Sequence, residues 1–173
     1  WHWSDLDVTL YVHTSVASFF ENHRQEQGGH ERGGQLFVDV TRPNGLWLVE
    51  ATGPHLNDKS GPTWLEMDLK RCREEIEEAN ARGLRLIGYW HSHPEHVPAL
   101  SGQDIKSLTK FSQRNTHQLP NPLAVIVGRS LSPEGIRAWI YQKRKALLAE
   151  HIEQNDGQNK FCLLYTSPSP RDK

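Results

Sequence analysis

The stretch Ile87-Gly88-Tyr89-Trp90-His91-Ser92-His93-Pro94 closes an almost continuously apolar run that begins at Leu84. Such a run suits a central strand covered on both faces. Side chains alternate along a strand, so His91 and His93 point to one side and Ser92 to the other. Pro94 stops the strand from running on, and Glu95 to Leu100 lets the chain turn back. Ser101 then stands where a helix N-cap is expected, with Asp104 one turn inside. Two imidazoles, a hydroxyl and a carboxylate thus share one strand-to-helix passage.

A His-x-His pair alone carries little, since ten His in 173 residues give about 0.6 such pairs by chance. Requiring Ser eight and Asp eleven residues after the second His lowers the expectation to roughly two in a thousand. Two His and a carboxylate leave a tetrahedral zinc with an open fourth position, where water binds with its pKa lowered towards ~7. Ser101-x-x-Asp104 also matches a capping box, but a capping Ser still has a hydroxyl to offer. A hydrolytic zinc site also needs a proton acceptor. Glu31 stands beside Gly33-Gly34, a pair that lets another chain approach closely. By their residue types alone, Glu50, Glu66 and Glu95 are comparable candidates.

Outward from this centre, period-two and helical spacings alternate. Val8, Leu10 and Val12 predict a strand. Thr14 offers an N-cap for a helix carrying Val16, Phe19, Phe20 and His23, expected to end at Gly28-Gly29. His23 reads as a packed residue rather than a ligand. Gln35 to Val40 and Leu46 to Ala51 predict strands joined through an Asn44-Gly45 hairpin turn. Residues 53–64 are dense in turn formers and read as a loop. A helix is expected from Asp68 to Gly83, with Leu69, Cys72, Ile76 and Ala79 on one face and the charged run Arg73 to Glu78 mostly solvated. A second helix spans Ser101 to about Gln113, with Ile105, Leu108 and Phe111 on one side. Two more strands follow at Leu123 to Val127 and Ile136 to Tyr141. The sum is an α/β sandwich, a mixed β-sheet flanked by helices.

Composition narrows the function classes. Lys plus Arg number 20 against 21 Asp plus Glu, with a formal net charge of −1, so no nucleic-acid or anionic-membrane partner is indicated. No run approaches the ~20 apolar residues of a membrane span, and no export signal opens the chain. Cys72 and Cys162 are too few and too far apart for a disulfide framework, and are read as reduced thiols in a cytoplasmic setting. Residues 1–148 are read as one domain and 149–173 as a tail. Its end, from Cys162 to Lys173, fits no pattern and resembles translated sequencing-adaptor DNA. It is left out of the fold and function readings.

Glu31-x-Gly33-Gly34-x-Leu36, followed by His91-Ser92-His93-Pro94-x6-Ser101-x2-Asp104, resembles the complete motif of the JAMM (MPN-plus, Mov34/JAB) metalloproteases over residues 5 to 145. The resemblance implies a cytidine-deaminase-like α/β sandwich, with Zn²⁺ on His91, His93 and Asp104. It implies Glu31 as general base and Ser101 as donor to the tetrahedral intermediate. Family members cleave peptide or isopeptide bonds after the C-terminal tail of ubiquitin or a ubiquitin-like protein. The short form with Trp-His-Ser-His-Pro and Gly-Gly-Gln-Leu-Phe is most similar to prokaryotic JAB proteins, including deconjugating peptidases of CBASS antiphage operons. Such a substrate tail is expected to add as a strand beside an exposed edge. The segments 53–66 and 112–122, where family members carry substrate-contacting insertions, are short here. The oligomeric state is not legible.

Two other readings stand beside this one. A nucleoside deaminase shares the implied fold but needs a Cys-x-x-Cys after a His-x-Glu, and the chain has neither. A non-catalytic MPN-type module loses the ligand residues, all of which are present here.

Overall fold

The computed structural model describes residues 1–153; the segment read as appended adaptor sequence lies outside them. In chain order the elements are β1 (His2–Trp3), β2 (Val8–Val12), α1 (Thr14–Asn22), β3 (Gly33–Asp39), β4 (Leu46–Ala51), β5 (Lys59–Gly61) and β6 (Trp64–Glu66). They continue with α2 (Leu69–Ala81), β7 (Leu84–Ser92), α3 (Gly102–Arg114), β8 (Leu123–Val127), β9 (Ile136–Gln142) and β10 (Lys145–Leu148). Eight strands form one mixed sheet in the order β1-β2-β4-β3-β7-β8-β9-β10, while β5 and β6 make a separate hairpin. The α/β sandwich expected from the sequence is the architecture observed.

The apolar run at residues 84–92 is central, as its composition requires: β7 pairs antiparallel with β3 and parallel with β8. On β8 all five residues are buried, because helices cover both faces. Leu123, Val125 and Val127 join Trp90 and the α1 side chains Val16 and Phe20 in the main core. Ala124 turns the other way and packs with Leu108 of α3. On that same face Tyr89 meets Phe111 of α3 edge-on at 4.9 Å, and Gln35 donates to the Cys72 carbonyl of α2. Since Trp90 faces α1, alternation turns His91 towards α2 and α3.

The sheet also curls until its two edges meet. His2 and Glu150 exchange backbone hydrogen bonds of 2.8 Å, and the Trp3 indole donates to the Leu147 carbonyl. Two short segments without sequence periodicity therefore complete the enclosure of the core.

Several boundaries differ from the sequence reading. Helix α1 stops at Asn22 rather than Gly28-Gly29, because the His23 backbone and ring both turn back onto the last turn, at Phe20 O and Phe19 O. Its N-cap is His13, whose Nδ1 accepts from Ser15 N, rather than Thr14. Residues 53–64 are not all loop: the turn formers Pro62 and Thr63 join β5 to β6, with Lys59 opposite Glu66. Leu69 and Ile105, assigned to apolar faces, stand largely exposed. Other features agree. Asp68 caps α2 through its carboxylate, Gly83 follows with φ +83°, and Asn44 and Gly45 take the positive φ of the β3–β4 turn.

Candidate metal centre and active site

His91 is the penultimate residue of β7, and His93 lies just past its end, where its N–H still bonds Val127 O at 2.9 Å. The two rings therefore project side by side, with Nε2 atoms 3.0 Å apart. The loop after Pro94 returns the chain to α3, whose first turn carries Asp104. Asp104 Oδ1 lies 3.0 Å from His91 Nε2, and Oδ2 lies 3.3 Å from His93 Nε2. Two imidazole nitrogens from a strand end and one carboxylate from a helix start thus converge.

Helix capping and this convergence use the same carboxylate. Ser101 Oγ accepts from Asp104 N at 3.1 Å, and Ser101 N donates to Asp104 Oδ2 at 2.8 Å, completing a capping box. The cap fixes the Asp104 rotamer, so it supports the site rather than competing with it. Ser101 Oγ spends a lone pair on the cap, leaving its hydroxyl hydrogen free to donate.

Glu31 enters from the segment before β3, the strand beside β7. The glycines after it are required: a Cβ on Gly34 would lie 1.7 Å from Thr52 O, and one on Gly33 would lie 2.5 Å from Trp90 O. Gly33 pairs with His91, so the residue two places earlier reaches the histidines. Glu31 is buried, with Oε1 4.0 Å from His93 Nε2. Glu31, His91 and His93 each offer a ligand atom, all within 4.8 Å of one another. The Asp104 oxygens approach the imidazoles more closely than Glu31 does.

Burial pushes the Glu31 carboxyl up from its ordinary value, His91 and His93 pull it down, and Asp104 and Glu95 push it up again. For Asp104 burial also raises the pKa, but bonds with both imidazoles and the Ser101 N–H prevail and hold it well below the usual carboxylate range. Burial depresses His93, yet Asp104 and Glu95 outweigh that and raise it. Two carboxylates around two imidazoles, largely out of water, are arranged to hold one positive charge. Nitrogen and oxygen donors of this kind suit zinc. Ligands 2.0–2.1 Å from a tetrahedral ion sit about 3.3 Å from each other; the two Nε2 atoms are 3.0 Å apart, and each has one oxygen of the Asp104 carboxylate at 3.0 Å (Oδ1 to His91) or 3.3 Å (Oδ2 to His93). The donor set therefore fits such an ion.

A cleft of about 500 Å³ opens beside the site. Glu31, His91, Ser101 and Asp104 lie along it, Tyr89 contributes from β7, Trp64 and Leu65 from β6, and Leu108 and Phe111 from α3.

Three supporting groups escape the sequence reading. Ser92, facing away from the imidazoles, accepts from Arg32 N at 2.9 Å, while Ser92 N donates to Arg32 O, clamping the Glu31 segment to the histidine strand. Gln25, buried in a region without periodicity, donates to Gly29 O and Pro62 O and accepts from Ser92 Oγ. Arg71, hidden beside a charge run, is a buried guanidinium that donates to Gly33 O, Asp58 and Glu75. Side-chain type gave no signal for these, since each is assigned by what tertiary packing places around it. Among the other carboxylates weighed with Glu31, Glu50 pairs with Arg82, Glu66 is exposed on the cleft wall, and Glu95 bonds His93 Nδ1.

With fold and site in view, the family model of prokaryotic homologs of the JAB domain matches residues 13–141, and the chain belongs to that family. Among curated proteins it is 26% identical over 121 residues to the CD-NTase/cGAS isopeptidase of Enterobacter hormaechei subsp. hoffmannii, covering 69% of this chain and 67% of that one. It is 28% identical over 134 residues to the CD-NTase/cGAS isopeptidase of Pseudomonas aeruginosa, covering 75% of this chain and 84% of the relative. The solution structure of protein DSY2949 from Desulfitobacterium hafniense superposes with a TM-score of 0.62 at 15% identity, over 86% of this chain and 94% of that one, a likeness of fold.

Proposed function

We propose that the chain is a zinc-dependent isopeptidase that hydrolyses the bond after the C-terminal tail of a ubiquitin-like protein or conjugate. By analogy with the two relatives' names, a conjugated CD-NTase is the first substrate to try. The observation that carries the reading is the convergence of His91 Nε2 and His93 Nε2, 3.0 Å apart, on the Asp104 carboxylate, whose Oδ1 lies 3.0 Å from His91 and Oδ2 3.3 Å from His93, with the buried Glu31 carboxylate 4.0 Å from His93 Nε2. In this reading residues 1–148 form the catalytic domain, with Ala149 and Glu150 continuing its sheet closure through Ala138 and His2, and the residues beyond them form the tail.

His91, His93 and Asp104 would hold the zinc, which when bound supplies Lewis acidity that lowers the pKa of water and polarises the scissile carbonyl. Glu31 accepts the proton that the attacking water loses as the C–O bond forms. Its raised pKa brings it closer to neutrality, which suits a group that takes up a proton and gives it back. It then delivers that proton to the leaving nitrogen as the C–N bond breaks. Ser101 Oγ–H donates to the developing oxyanion. Among the described residues strand β6 is paired only with β5, and it lines the cleft with Trp64 and Leu65, so its other edge is offered for an extended tail to add as a strand.

The test is hydrolysis of a purified conjugate, with zinc measured in parallel. Glu31→Gln is expected to retain zinc and lose about 10²-fold or more in rate. His91→Ala and Asp104→Ala are expected to lose both. Full hydrolysis by Glu31→Gln removes Glu31 from the mechanism. A wild-type chain that binds no zinc and shows no chelator-sensitive cleavage favours a non-catalytic module.

A further inference from the structure

The opposite edge of the His93 ring carries a second carboxylate. His93 Nδ1 lies 2.7 Å from Glu95 Oε1, whereas Nε2 faces His91, Asp104 and Glu31. The two nitrogens of an imidazole lie on different edges, so Glu95 stands behind the ring, away from the reacting atoms. We propose that Glu95 is a positioning residue: it accepts the His93 Nδ1–H and so fixes the tautomer and the ring orientation that present the Nε2 lone pair to the metal. The proposal rests on the zinc reading above.

The backbone holds Glu95 in place for this role. Glu95 O accepts from Arg129 N at 2.8 Å and His96 O from Ser130 N at 3.0 Å, which pins the loop to the chain leaving β8. Gly128 permits that closeness, since a Cβ there would lie 2.6 Å from His96 O and 2.9 Å from Glu95 O. His93 N is fixed to Val127 O from the same strand. Ring and carboxylate are thus both referenced to the end of β8, and their contact does not depend on a freely moving side chain alone. His93 is 7% exposed and Glu95 46%, so the carboxylate keeps access to water while its partner is buried. That limits the cost of placing a third acidic group near Glu31 and Asp104.

A carboxylate on the free ring nitrogen raises ligand basicity and removes the wrong tautomer, and losing such a partner typically weakens metal affinity 10- to 100-fold. Zinc dissociation constants for the full chain, measured by competition with a chromogenic chelator, test this. Glu95→Ala is expected to bind zinc about 10- to 100-fold more weakly, with the thermal midpoint of the metal-free protein unchanged. Glu95→Gln, whose amide oxygen still accepts the N–H, is expected within about threefold of wild type. Wild-type zinc affinity in Glu95→Ala overturns the proposal, and a Gln variant as weak as Ala overturns the hydrogen-bond mechanism in favour of charge alone. A wild-type chain that takes up no zinc overturns the functional reading as well, a result distinct from both.

Discussion

At the scale of single residues, small changes of volume and environment decide what a side chain can do. Gly34 cannot carry a Cβ, because the Thr52 carbonyl occupies its place at 1.7 Å. Gly34→Ala is expected to lower stability by at least the ~1–3 kcal/mol of ordinary overpacking, measured by urea denaturation. An unchanged midpoint would show that Thr52 moves aside freely. Cys72 illustrates the opposite case, a reactive group made inert. Burial pushes its thiol up to about 11, Arg71 pulling it down and Glu75 adding to the rise. At pH 8 about one molecule in a thousand then carries the thiolate. In a Cys162→Ser background the folded protein is expected to react with a disulfide reagent ~10²-fold more slowly than free cysteine. Reaction at the free-thiol rate would contradict the buried environment.

At the scale of elements, the site depends on segments being fastened to each other. Arg71 of α2 joins Asp58 and Glu75 to the Gly33 carbonyl with its guanidinium buried. Removing one member of such a group leaves the others unpaired, so Arg71→Met is expected to cost about 3–5 kcal/mol, read from chemical denaturation. The pH dependence follows from Asp58. Burial tends to raise its pKa, but the bonds from Arg71 and from the Asp68 and His55 N–H groups outweigh it, and the folded value is lowered. A depressed carboxylate stabilises the fold fully above its unfolded pKa of about 3.9 and loses that contribution as pH falls through the folded value. The stability difference between wild type and Asp58→Asn is therefore expected to be flat above about pH 5 and to shrink below about pH 4. A difference that grows on acidification would reverse the sign assigned here.

At the scale of the whole molecule, the curled sheet encloses the core, and β1 and β10 close it. Trp3 is buried at 3% exposure and bonds Leu147 O across the closure. Trp3→Ala is expected to destabilise the protein by about 3–5 kcal/mol while leaving the affinity of the proposed zinc site within about twofold in whatever fraction is folded, because that site lies at the β7–α3 end. Loss of zinc binding in the folded variant would show that closure and site are coupled. Among the described residues no helix is long and apolar enough to cross a membrane.

The sequence by itself determined the centre of this protein. The period of two carried His91 and His93 to one side of β7, Pro94 and the Ser101 cap set where strand and helix meet, and Gly33-Gly34 marked a close approach. These features are local, governed by backbone stereochemistry and side-chain alternation within a few residues, and so are legible without neighbours. Only tertiary structure decided what lies across space. It showed that β5 and β6 pair within a turn-rich stretch, that a ring of His23 rather than a glycine ends α1, and that edges 148 residues apart exchange hydrogen bonds at His2 and Glu150. It also separated four glutamates of one chemistry: Glu31 buried beside two imidazoles, Glu95 behind one of them, Glu50 paired with Arg82, and Glu66 on the cleft wall. A carboxylate's role is set by the partners and the dielectric around it, and those are supplied by residues distant in the chain.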